Sequence, residues 1–285
     1  MHRLWLVIVS ALALMGSAQA AERLPIFDTH VHYSNPAWKP FPPKKAIAVL
    51  REAGVTKALV SSTPDDGSLT LQRHAPSIVT PVLRPYRGTI GSGNWTRDPG
   101  VVEYLAERLK KTRYAGIGEF HLFDSSEVDG PTVRGTVALA RRYDVMIHVH
   151  SGAAPIEALF RVDPGVKILW AHAGMSEPAS VVAAMLERFP TLWTEVSFRS
   201  GDIAPGGTLS AEWREVLIKY SKRIMIGSDT YITPRWESYA RLIDEHRRWL
   251  EQLPRDHAEA IAFRNASALY RIRPATSAAR STTRQ

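Results

Sequence analysis

The sequence has 285 residues, a formal net charge of +8 and no cysteine. The lack of cysteine excludes a disulfide framework, is compatible with an oxidising compartment, and restricts any metal site to histidine and carboxylate ligands. The basic excess lies mainly in helix-like segments and near the C-terminus, without the regularly placed aromatic residues that favour single-strand binding. We therefore expect no nucleic-acid partner; the charge is typical of a solvated outer surface or of attraction for anionic substrates or membrane surfaces.

The first twenty residues predict a cleavable signal peptide. Arg3 precedes an apolar run over residues 4–15, and Ala18-Gln19-Ala20 has the small-x-small form of a cleavage site. The run is shorter than the ~20 residues of a membrane-spanning helix, although an uncleaved anchor is the alternative. We expect cleavage after Ala20, a periplasmic or secreted mature protein, and no membrane span after cleavage.

Short β-branched runs alternate with segments of helical period between residues 21 and 273. Such alternation predicts βαβ units and a parallel sheet, and the remaining length of about 265 residues is close to the ~250 of one barrel. The sequence therefore predicts an α/β fold, a single-domain (β/α)8 TIM barrel over 21–273, followed by a disordered tail over 274–285. The predicted strands are Ile26–His32, Lys57–Ser62, Ile78–Leu83, Ala115–Phe120, Val145–His150, Val166–Ala171, Thr191–Val196 and Ile224–Asp229.

Two helix boundaries carry clear signals. Gly54 follows the first helical segment and predicts a left-handed residue just after its C-terminus. Thr233-Pro234 predicts the start of one long helix, because apolar residues recur at helical spacing from there to Leu250.

Two unusual loops leave predicted strand ends on the face that carries catalysis in such barrels, so they are candidate lids or pocket walls. They are the proline-rich segment Ser34–Pro43 and the glycine-rich segment Arg199–Ser210. Trp38 in the first loop, Arg199 in the second, and Arg84 after the third strand are candidate substrate-binding residues. Each arginine is suited either to binding an anionic group or to capping the rim.

Most histidines of this sequence stand at or just past predicted strand ends. Side chains alternate along a strand, so His30 and His32 point the same way, as do His148 and His150. The ends of all strands meet at one rim of a barrel, and a single histidine there is often structural, but such a group predicts a divalent metal site. The group comprises Asp28, His30, His32, Glu119, His121, His148, His150, His172 and Asp229.

Several of these residues lie in motifs that resemble the amidohydrolase superfamily, and within it the amidohydrolase-related group of TIM-barrel metal-dependent hydrolases. The motifs are Asp-Thr-His-Val-His at the first strand, His-Ser-Gly at the fifth, Ala-His-Ala-Gly at the sixth and Gly-Ser-Asp-Thr at the eighth. Asn265-Ala266, followed by Leu269-Tyr270, resembles the last helix of that group. The match runs in order through nearly the whole mature chain.

The resemblance implies roles for five residues. His30 and His32 match the metal ligands of the first strand, and His150 matches the ligand of the fifth strand better than His148 does. His172 matches the histidine that binds a second metal or contacts substrate. Asp229 matches the aspartate that touches the metal and accepts a proton from its water.

The fourth strand distinguishes subfamilies. Its segment from Gly116 to Glu119 resembles TatD-type deoxyribonucleases, in which the glutamate binds metal, whereas other members bridge two metals with a carboxylated lysine that is missing here. Glu119 therefore predicts either a ligand of a two-metal centre or a structural or substrate-binding group. His148 is expected in the barrel interior and Asp28 as an orienting group, while the role of His121 is open.

Together these features predict an exported metal-dependent hydrolase that cleaves an ester, lactone or amide bond of a small molecule. One or two divalent ions, zinc ahead of manganese, would lower the pKa of water toward ~7, with Asp229 and His172 as catalytic residues. The alternatives are a TatD-like phosphodiesterase or nuclease, a decarboxylase, and a metal-binding protein without catalysis. The sequence does not specify the oligomeric state.

Overall fold

A computed structural model describes residues 23–270, so the predicted signal peptide and the predicted tail lie outside the described residues. Within this range parallel strands alternate with helices, because nearly continuous apolar runs are punctuated by segments of helical period. The strands are β1 Ile26–His32, β2 Val55–Ser61, β3 Val79–Val82, β4 Gly116–His121, β5 Met146–His150, β6 Ile168–Trp170, β7 Leu192–Glu195 and β8 Ile224–Met225.

The strands form two parallel sheets in sequence order, β1 to β3 and β4 to β8. Single parallel bridges join the sheets at both seams, Leu83 to Ile117 and Asp28 to Ile226. At the second seam the amide of Thr29 also donates to the carbonyl of Ile226, at 2.8 Å. The order of strands and both seams confirm the predicted (β/α)8 fold, in which all strand C-termini face one end.

The helices cover the outside of the strands. In the amphipathic helix α11, for example, Leu242, Ile243 and Trp249 are buried, whereas its opposite face carries charged residues. The helices are α1 Asn35–Trp38, α2 Pro43–Glu52, α3 Asp66–His74, α4 Gly100–Lys111, α5 Pro131–Tyr143, α6 Ala153–Val162, α7 Ala179–Arg188, α8 Ser200–Ile203, α9 Ala211–Lys219, α10 Thr233–Glu237, α11 Tyr239–Leu250, α12 Arg255–Glu259 and α13 Asn265–Leu269, with a π-helical turn, Ala260–Arg264, between the last two.

The predicted long helix after Thr233 is wrong, because it is divided into α10 and α11. Ser238 leaves the helical conformation, with φ −99° and ψ 11°. Its hydroxyl donates to the carbonyl of Pro234 at 2.9 Å, a local bond that competes with the regular helix ladder. The prediction for Gly54 is confirmed: it follows α2 with φ +70°.

The early ends of β6 and β8 position polar residues. β6 ends at Trp170 and β8 at Met225, after which the chain leaves the regular ladder. His172 and Asp229 then adopt left-handed backbone conformations, with φ 57° and 50°. Because few non-glycine residues adopt this conformation, the backbone there is held by its surroundings.

The two loops singled out in the sequence contain short helices. Ser34–Pro43 contains α1 and buries Phe41 in the core. Arg199–Ser210 contains α8 and a 3-10 turn, Pro205–Gly207. No helix within residues 23–270 combines the length and the apolar character that crossing a membrane requires.

Candidate metal centre

Six side chains converge at the C-terminal end of the barrel. All are buried except His150, which is partly exposed. They come from strand ends or from the residues that follow them, although up to 199 positions of sequence separate them, because the barrel brings the strand ends together. We call this group the rim cluster; it comprises His30, His32, Glu119, His150, His172 and Asp229.

The two histidines of β1 aim one ring nitrogen each at the same space. Their Nε2 atoms are 3.0 Å apart. The Nδ1 of His30 lies 3.0 Å from Glu195 Oε1, and the Nδ1 of His32 lies 2.8 Å from the hydroxyl of Ser61. A neutral His30 that donates from Nδ1 to this carboxylate presents a lone pair at Nε2, which is the form that binds metal.

Glu119 lies between two groups of imidazoles. Its Oε2 is 3.2 Å from the Nε2 of His32 and 3.5 Å from the Nε2 of His30. Its Oε1 is 2.9 Å from the Nδ1 of His150 and 3.5 Å from the Nε2 of His172. One carboxylate therefore offers an oxygen to each half of the rim cluster.

The position of Glu119 follows from an irregularity in β4. The pairing with β5 shifts register between Gly118 and Phe120, as at a β-bulge, which re-aims side chains. Phe120 packs outward on Trp95, with 4.6 Å between ring centroids. Gly118 has φ +139°, and a Cβ there would lie 2.3 Å from the carbonyl oxygen of His148, so only glycine fits.

Asp229 is held by its backbone while its carboxylate faces the cluster. Its amide donates to the carbonyl of His30 at 2.6 Å, and its carbonyl accepts from Arg235 Nε at 2.6 Å. Its Oδ1 lies 3.1 Å from the Nε2 of His32, yet this buried oxygen has no hydrogen bond of acceptable geometry among the described residues. A desolvated carboxylate oxygen beside an imidazole nitrogen, without a donor, fits a ligand of a cation.

His172 completes the cluster from the loop after β6. Its Nδ1 lies 2.7 Å from the hydroxyl of Ser197, which leaves Nε2 facing the other histidines. That Nε2 is 3.1 Å from the Nδ1 of His150 and 3.9 Å from Asp229 Oδ2. The ring therefore contacts both the fifth-strand and the eighth-strand members.

Glu195 was missed in the sequence, although it is the residue that positions this arrangement. At the end of β7 its Oε1 accepts from the amide of His172 at 2.7 Å and faces His30 Nδ1, and its Oε2 accepts from the amide of Ser197 at 2.7 Å. A Cβ on Gly227 would lie 2.0 Å from Oε2, so a glycine makes room for the carboxylate. The signal that could have revealed it is a single acid at the end of an apolar strand on the catalytic rim.

The electrostatics of the site indicate a place for a cation. Burial alone would lower the pKa of His30, but the negative charges of Asp229, Glu119 and Glu195 outweigh it and raise the pKa well above its usual value. Burial alone would raise the pKa of Glu119 and of Asp229, but the charge of His30 dominates and keeps both below their usual values. Three buried carboxylates thus depend on positive charge within the cluster, which a divalent ion supplies better than one imidazolium.

The ligand atoms are also close enough to share ions. Those of His30, His32 and Asp229 lie within 4.8 Å of one another, as do those of His30, Glu119 and His172. Because histidine nitrogens and carboxylate oxygens are the ligands that zinc and manganese accept, the residues present fit such a cation.

Asp28 and His148 lie below the rim cluster. Asp28 accepts from the amides of His30 and Ser228, both at 3.0 Å, and from the hydroxyl of Tyr239, so it ties β1 to the segment after β8. Burial raises its pKa to about 6, although these hydrogen bonds oppose the shift. His148 lies in the barrel interior as expected, 4.4 Å from His30 between ring centroids, and its Nε2 has no hydrogen-bond partner among residues 23–270.

His121 and Arg84 lie beside the cluster. The ring of His121 stacks on His150 at 4.2 Å, and burial lowers its pKa to about 4. Arg84 donates from Nε to the carbonyl of Glu119 at 3.0 Å, and its Nη2 is 3.6 Å from the carboxylate of Glu119. Arg84 therefore holds Glu119 from the side of the cluster.

Arg199 and Trp38 donate hydrogen bonds within the protein. The indole nitrogen of Trp38 donates to the carbonyl of Tyr33 at 2.8 Å, and its ring packs on the core. Arg199 is buried, and its guanidinium positions the loop after β6. Its Nε donates to Asp202, and its two terminal nitrogens donate to the carbonyls of His172, Ala173 and Glu177.

A second concavity, of about 650 Å³, lies at the opposite end of the barrel, near the starts of β4 and β5. Its lining includes Lys110, Lys111, Lys167 and Tyr270 but no member of the rim cluster. Active sites of these barrels lie at the C-terminal face, so we assign the chemistry to the rim cluster.

A family model described as Amidohydrolase matches residues 27–272, which is most of the chain. The chain belongs to the amidohydrolase family. This membership confirms the superfamily resemblance and makes the protein an enzyme of that superfamily, a hydrolase or lyase on this scaffold. The TatD-like reading of Glu119 stays a prediction.

Solved structures show the same fold at low identity. A probable 2-pyrone-4,6-dicarboxylic acid hydrolase of Acinetobacter baumannii, with citric acid bound, is 13% identical with TM-score 0.58, and covers 87% of this chain and 100% of that one. A putative 2-pyrone-4,6-dicarboxylic acid hydrolase of Pseudomonas putida is 19% identical with TM-score 0.59, covering 87% and 97%. An L-hydantoinase (dihydropyrimidinase) of Arthrobacter aurescens is 15% identical with TM-score 0.52, covering 87% and 71%. No curated protein matches this sequence.

Proposed function

We propose that this amidohydrolase is an exported, metal-dependent hydrolase that cleaves an ester, lactone or amide bond in a small molecule. The observation that carries the proposal is the position of Glu119, with one carboxylate oxygen toward His30 and His32 and the other toward His150 and His172. The names of similarly folded proteins, two of them 2-pyrone-4,6-dicarboxylic acid hydrolases and one a hydantoinase, agree with hydrolysis.

The residues of the rim cluster support a centre for two divalent ions. His30, His32 and Asp229 would hold one ion, and His150 and His172 the other, with Glu119 as a ligand between them. Ions bound there supply Lewis acidity, which makes water a nucleophile near neutral pH and stabilises negative charge on an oxygen. Zinc is the ion we expect, with manganese as the alternative.

Asp229 is the proton carrier of the proposed reaction. Its lowered pKa keeps the carboxylate ionised at neutral pH, and with Oδ1 as the oxygen that would hold the ion, Oδ2 can accept a proton. The hydrogen bonds that fix its backbone leave the carboxylate facing the cluster. The same oxygen can then return the proton to the leaving group.

His172 orients the bond to be cleaved. Ser197 engages its Nδ1, so Nε2 is the atom that faces the cluster and can bind an ion or contact a substrate oxygen. Arg199 and Glu195 hold the backbone of His172 from two sides, which fixes the ring against the other histidines.

An activity screen tests the proposal. The purified chain, stripped with a chelator and reloaded with zinc or manganese, is assayed on esters, lactones, amides, phosphodiesters and carboxylic acids that can lose carbon dioxide. We expect metal-dependent hydrolysis in one of the first three classes, and none from the chelated protein. Turnover of phosphodiesters alone would support the TatD-like alternative, and release of carbon dioxide alone would support a lyase; either result would contradict the proposal.

Export is tested separately. We expect cell fractionation to recover the protein outside the cytoplasm, and mass spectrometry to find Ala21 as its first residue. Ala20→Phe should block the cleavage, because a bulky residue replaces the small one that the site requires. A cytoplasmic protein that retains Met1 would contradict export without affecting the hydrolase proposal.

A further inference from the structure

Within the part of the chain that the structure describes, the large exposed hydrophobic side chains lie at one end of the barrel. Among residues 23–270 they are Phe123 (66% exposed), Met175 (38%), Phe198 (43%), Tyr231 (56%) and Ile232 (44%). Each follows the C-terminal end of a strand: β4, β6, β7 and, for the last two, β8. Exposed apolar residues are usually scattered singly, whereas a concentration at one site indicates a binding surface.

The rings among them continue the ring contacts of the rim cluster. On one side Phe123 lies 5.6 Å from His121, and His121 stacks on His150 at 4.2 Å between ring centroids. His150 in turn meets His172 edge to face at 4.7 Å. The exposed Phe123 is thus linked to two metal-ligand candidates by direct ring contacts.

On the other side the contacts run from His172 outward. His172 meets Phe198 edge to face at 5.6 Å, and Phe198 lies 6.2 Å from Tyr231. Arg235 supports Phe198 by placing its guanidinium carbon 3.9 Å from the ring centroid, while its nitrogens donate to the carbonyls of Asp229 and Ser228. Phe198 is therefore held in place although nearly half of it faces solvent.

These contacts form one arc of six rings with the imidazoles in the middle and exposed benzene rings at both ends. We propose that the exposed rings at the two ends of this arc, Phe123 on one side and Phe198 with Tyr231 on the other, line the binding site of a substrate that carries an aromatic ring next to the bond to be cleaved. The inference rests on the proposed function for the position of that bond, over His150 and His172.

Two features of the arc favour an aromatic ring of the substrate as the group that binds there. Its exposed members are contiguous with the rim cluster, so a group that covers them also reaches the reacting atoms. Aromatic side chains prefer edge-to-face and offset contacts with other rings at centroid distances of ~4.5–7 Å. Four of the five contacts along the arc lie in this range, and His121 and His150 stack more closely, at 4.2 Å. A molecule with an aromatic ring and a hydrolysable bond thus satisfies both parts of the site.

A binding measurement tests the arc without turnover. Phenylacetate and acetate share a carboxylate, and only the first has a ring, so calorimetric titration of the zinc-loaded chain with each isolates the contribution of the ring. We expect phenylacetate to bind at least tenfold more tightly than acetate. The double variant Phe123→Ala with Tyr231→Ala, called the rim variant below, should reduce the affinity for phenylacetate about tenfold while leaving that for acetate unchanged. Equal affinity for the two acids, or an unchanged affinity in the double variant, would overturn the proposal.

Controls separate ring recognition from general apolarity and from damage to the fold. Phe123→Leu keeps an apolar side chain without the ring, so it should lose most of the preference for phenylacetate; full retention would count against an aromatic site. Tyr143→Ala removes a tyrosine at the other end of the barrel, where α5 ends, and should leave both affinities unchanged. If Tyr143→Ala weakened the binding of phenylacetate as strongly as the rim variant does, the ring of phenylacetate would not bind at the arc.

Turnover distinguishes this inference from the proposed function. With paired substrates that contain the same bond and either a phenyl or a methyl substituent, we expect the rim variant to lower kcat/KM for the phenyl member alone. Hydrolysis without a preference for the phenyl substrate would overturn the proposal that the arc binds an aromatic ring, but it would not affect the hydrolase proposal. Ring-dependent binding of phenylacetate without hydrolysis of any substrate would support the arc while the hydrolase proposal fails.

Analytical ultracentrifugation tests whether a second copy of this chain, instead of a substrate, covers the exposed rings. A wild-type dimer that the rim variant converts to a monomer would show that a second copy of this chain covers the exposed rings, and would overturn substrate binding there. The same sedimentation coefficient in the wild type and in the rim variant would support the arc as a substrate-binding surface.

Discussion

Asp229 and Glu195 are both buried acids at strand ends, but their neighbours give them different roles. Glu195 accepts hydrogen bonds from the amides of His172 and Ser197 and faces the Nδ1 of His30, so its oxygens are occupied with positioning. Asp229 has one oxygen without a donor among residues 23–270, directed at the Nε2 of His32. The first is suited to holding a ligand in place and the second to binding a cation and exchanging a proton.

Asp229→Asn should remove most of the activity, while the protein should keep most of its bound metal. The amide cannot accept and return a proton, so we expect kcat to fall at least ~10²-fold, the range for loss of a general base. The measurement pairs steady-state kinetics with the metal content of the same sample. Asp256→Asn, at an exposed carboxylate of α12, is the matched control, and full activity in Asp229→Asn would refute the role.

Glu195→Gln should reduce the affinity for the metal ion more than it lowers kcat at a saturating metal concentration. The NH2 group of the glutamine would face a backbone N–H from which the carboxylate now accepts a hydrogen bond. His30 would also lose the carboxylate at its Nδ1 that orients its Nε2. Loss of such a partner typically costs ~10–100-fold in metal affinity. Competition with a chromogenic zinc chelator measures the affinity, with Glu212→Gln on the exposed face of α9 as control; an affinity equal to that of the wild type would exclude the positioning role.

At the scale of elements, the site depends on where strands stop being regular. The bulge in β4 re-aims Glu119, and the early ends of β6 and β8 let His172 and Asp229 adopt left-handed conformations. Gly118 permits the bulge, whereas hydrogen bonds from neighbouring segments hold His172 and Asp229 in place, as expected of strained backbone at functional sites.

Gly227→Ala tests how closely the segment after β8 approaches β7. The added Cβ would lie 2.0 Å from Glu195 Oε2 and 2.8 Å from the Cβ of His30, so the positioning carboxylate must move. We expect destabilisation by at least the ~1–3 kcal/mol typical of overpacking, together with weaker zinc binding. Thermal denaturation measures the first and chelator competition the second. Gly201→Ala, whose Cβ meets no described atom within 4 Å, is the control, and equal behaviour of the two variants would contradict the account.

Most strands and the six members of the rim cluster could be predicted, since both follow from periodicity and from polar residues at strand ends. Glu195 is harder to predict, because a single acid at the end of a short strand has no spacing partner that distinguishes it from other acids. It also could not reveal that Arg199 donates to carbonyls of another loop, or that Ser238 interrupts a helix whose apolar spacing continues past it. These features depend on tertiary hydrogen bonds between segments that only the fold brings together.

At the scale of the whole molecule, the two ends of the barrel differ in chemistry. The C-terminal end combines three buried carboxylates, the histidines of the rim cluster and the exposed rings of Phe123, Phe198 and Tyr231. The opposite end has a concavity lined by lysines and by Tyr270, without those histidines. The parallel arrangement of all strands produces this division, because it places every strand C-terminus at one face.

Metal stoichiometry tests the central claim most directly. The purified chain is stripped with a chelator, reloaded with zinc, freed of excess ion and analysed by plasma mass spectrometry, alongside Glu119→Gln and Asp256→Asn. We predict two zinc ions per chain in the wild type and in Asp256→Asn, and at most one in Glu119→Gln, because Glu119 directs one carboxylate oxygen at the Nε2 atoms of His30 and His32 and the other at His150 and His172. A wild-type chain that retains neither zinc nor manganese, or a Glu119→Gln variant that retains two ions, would contradict the account.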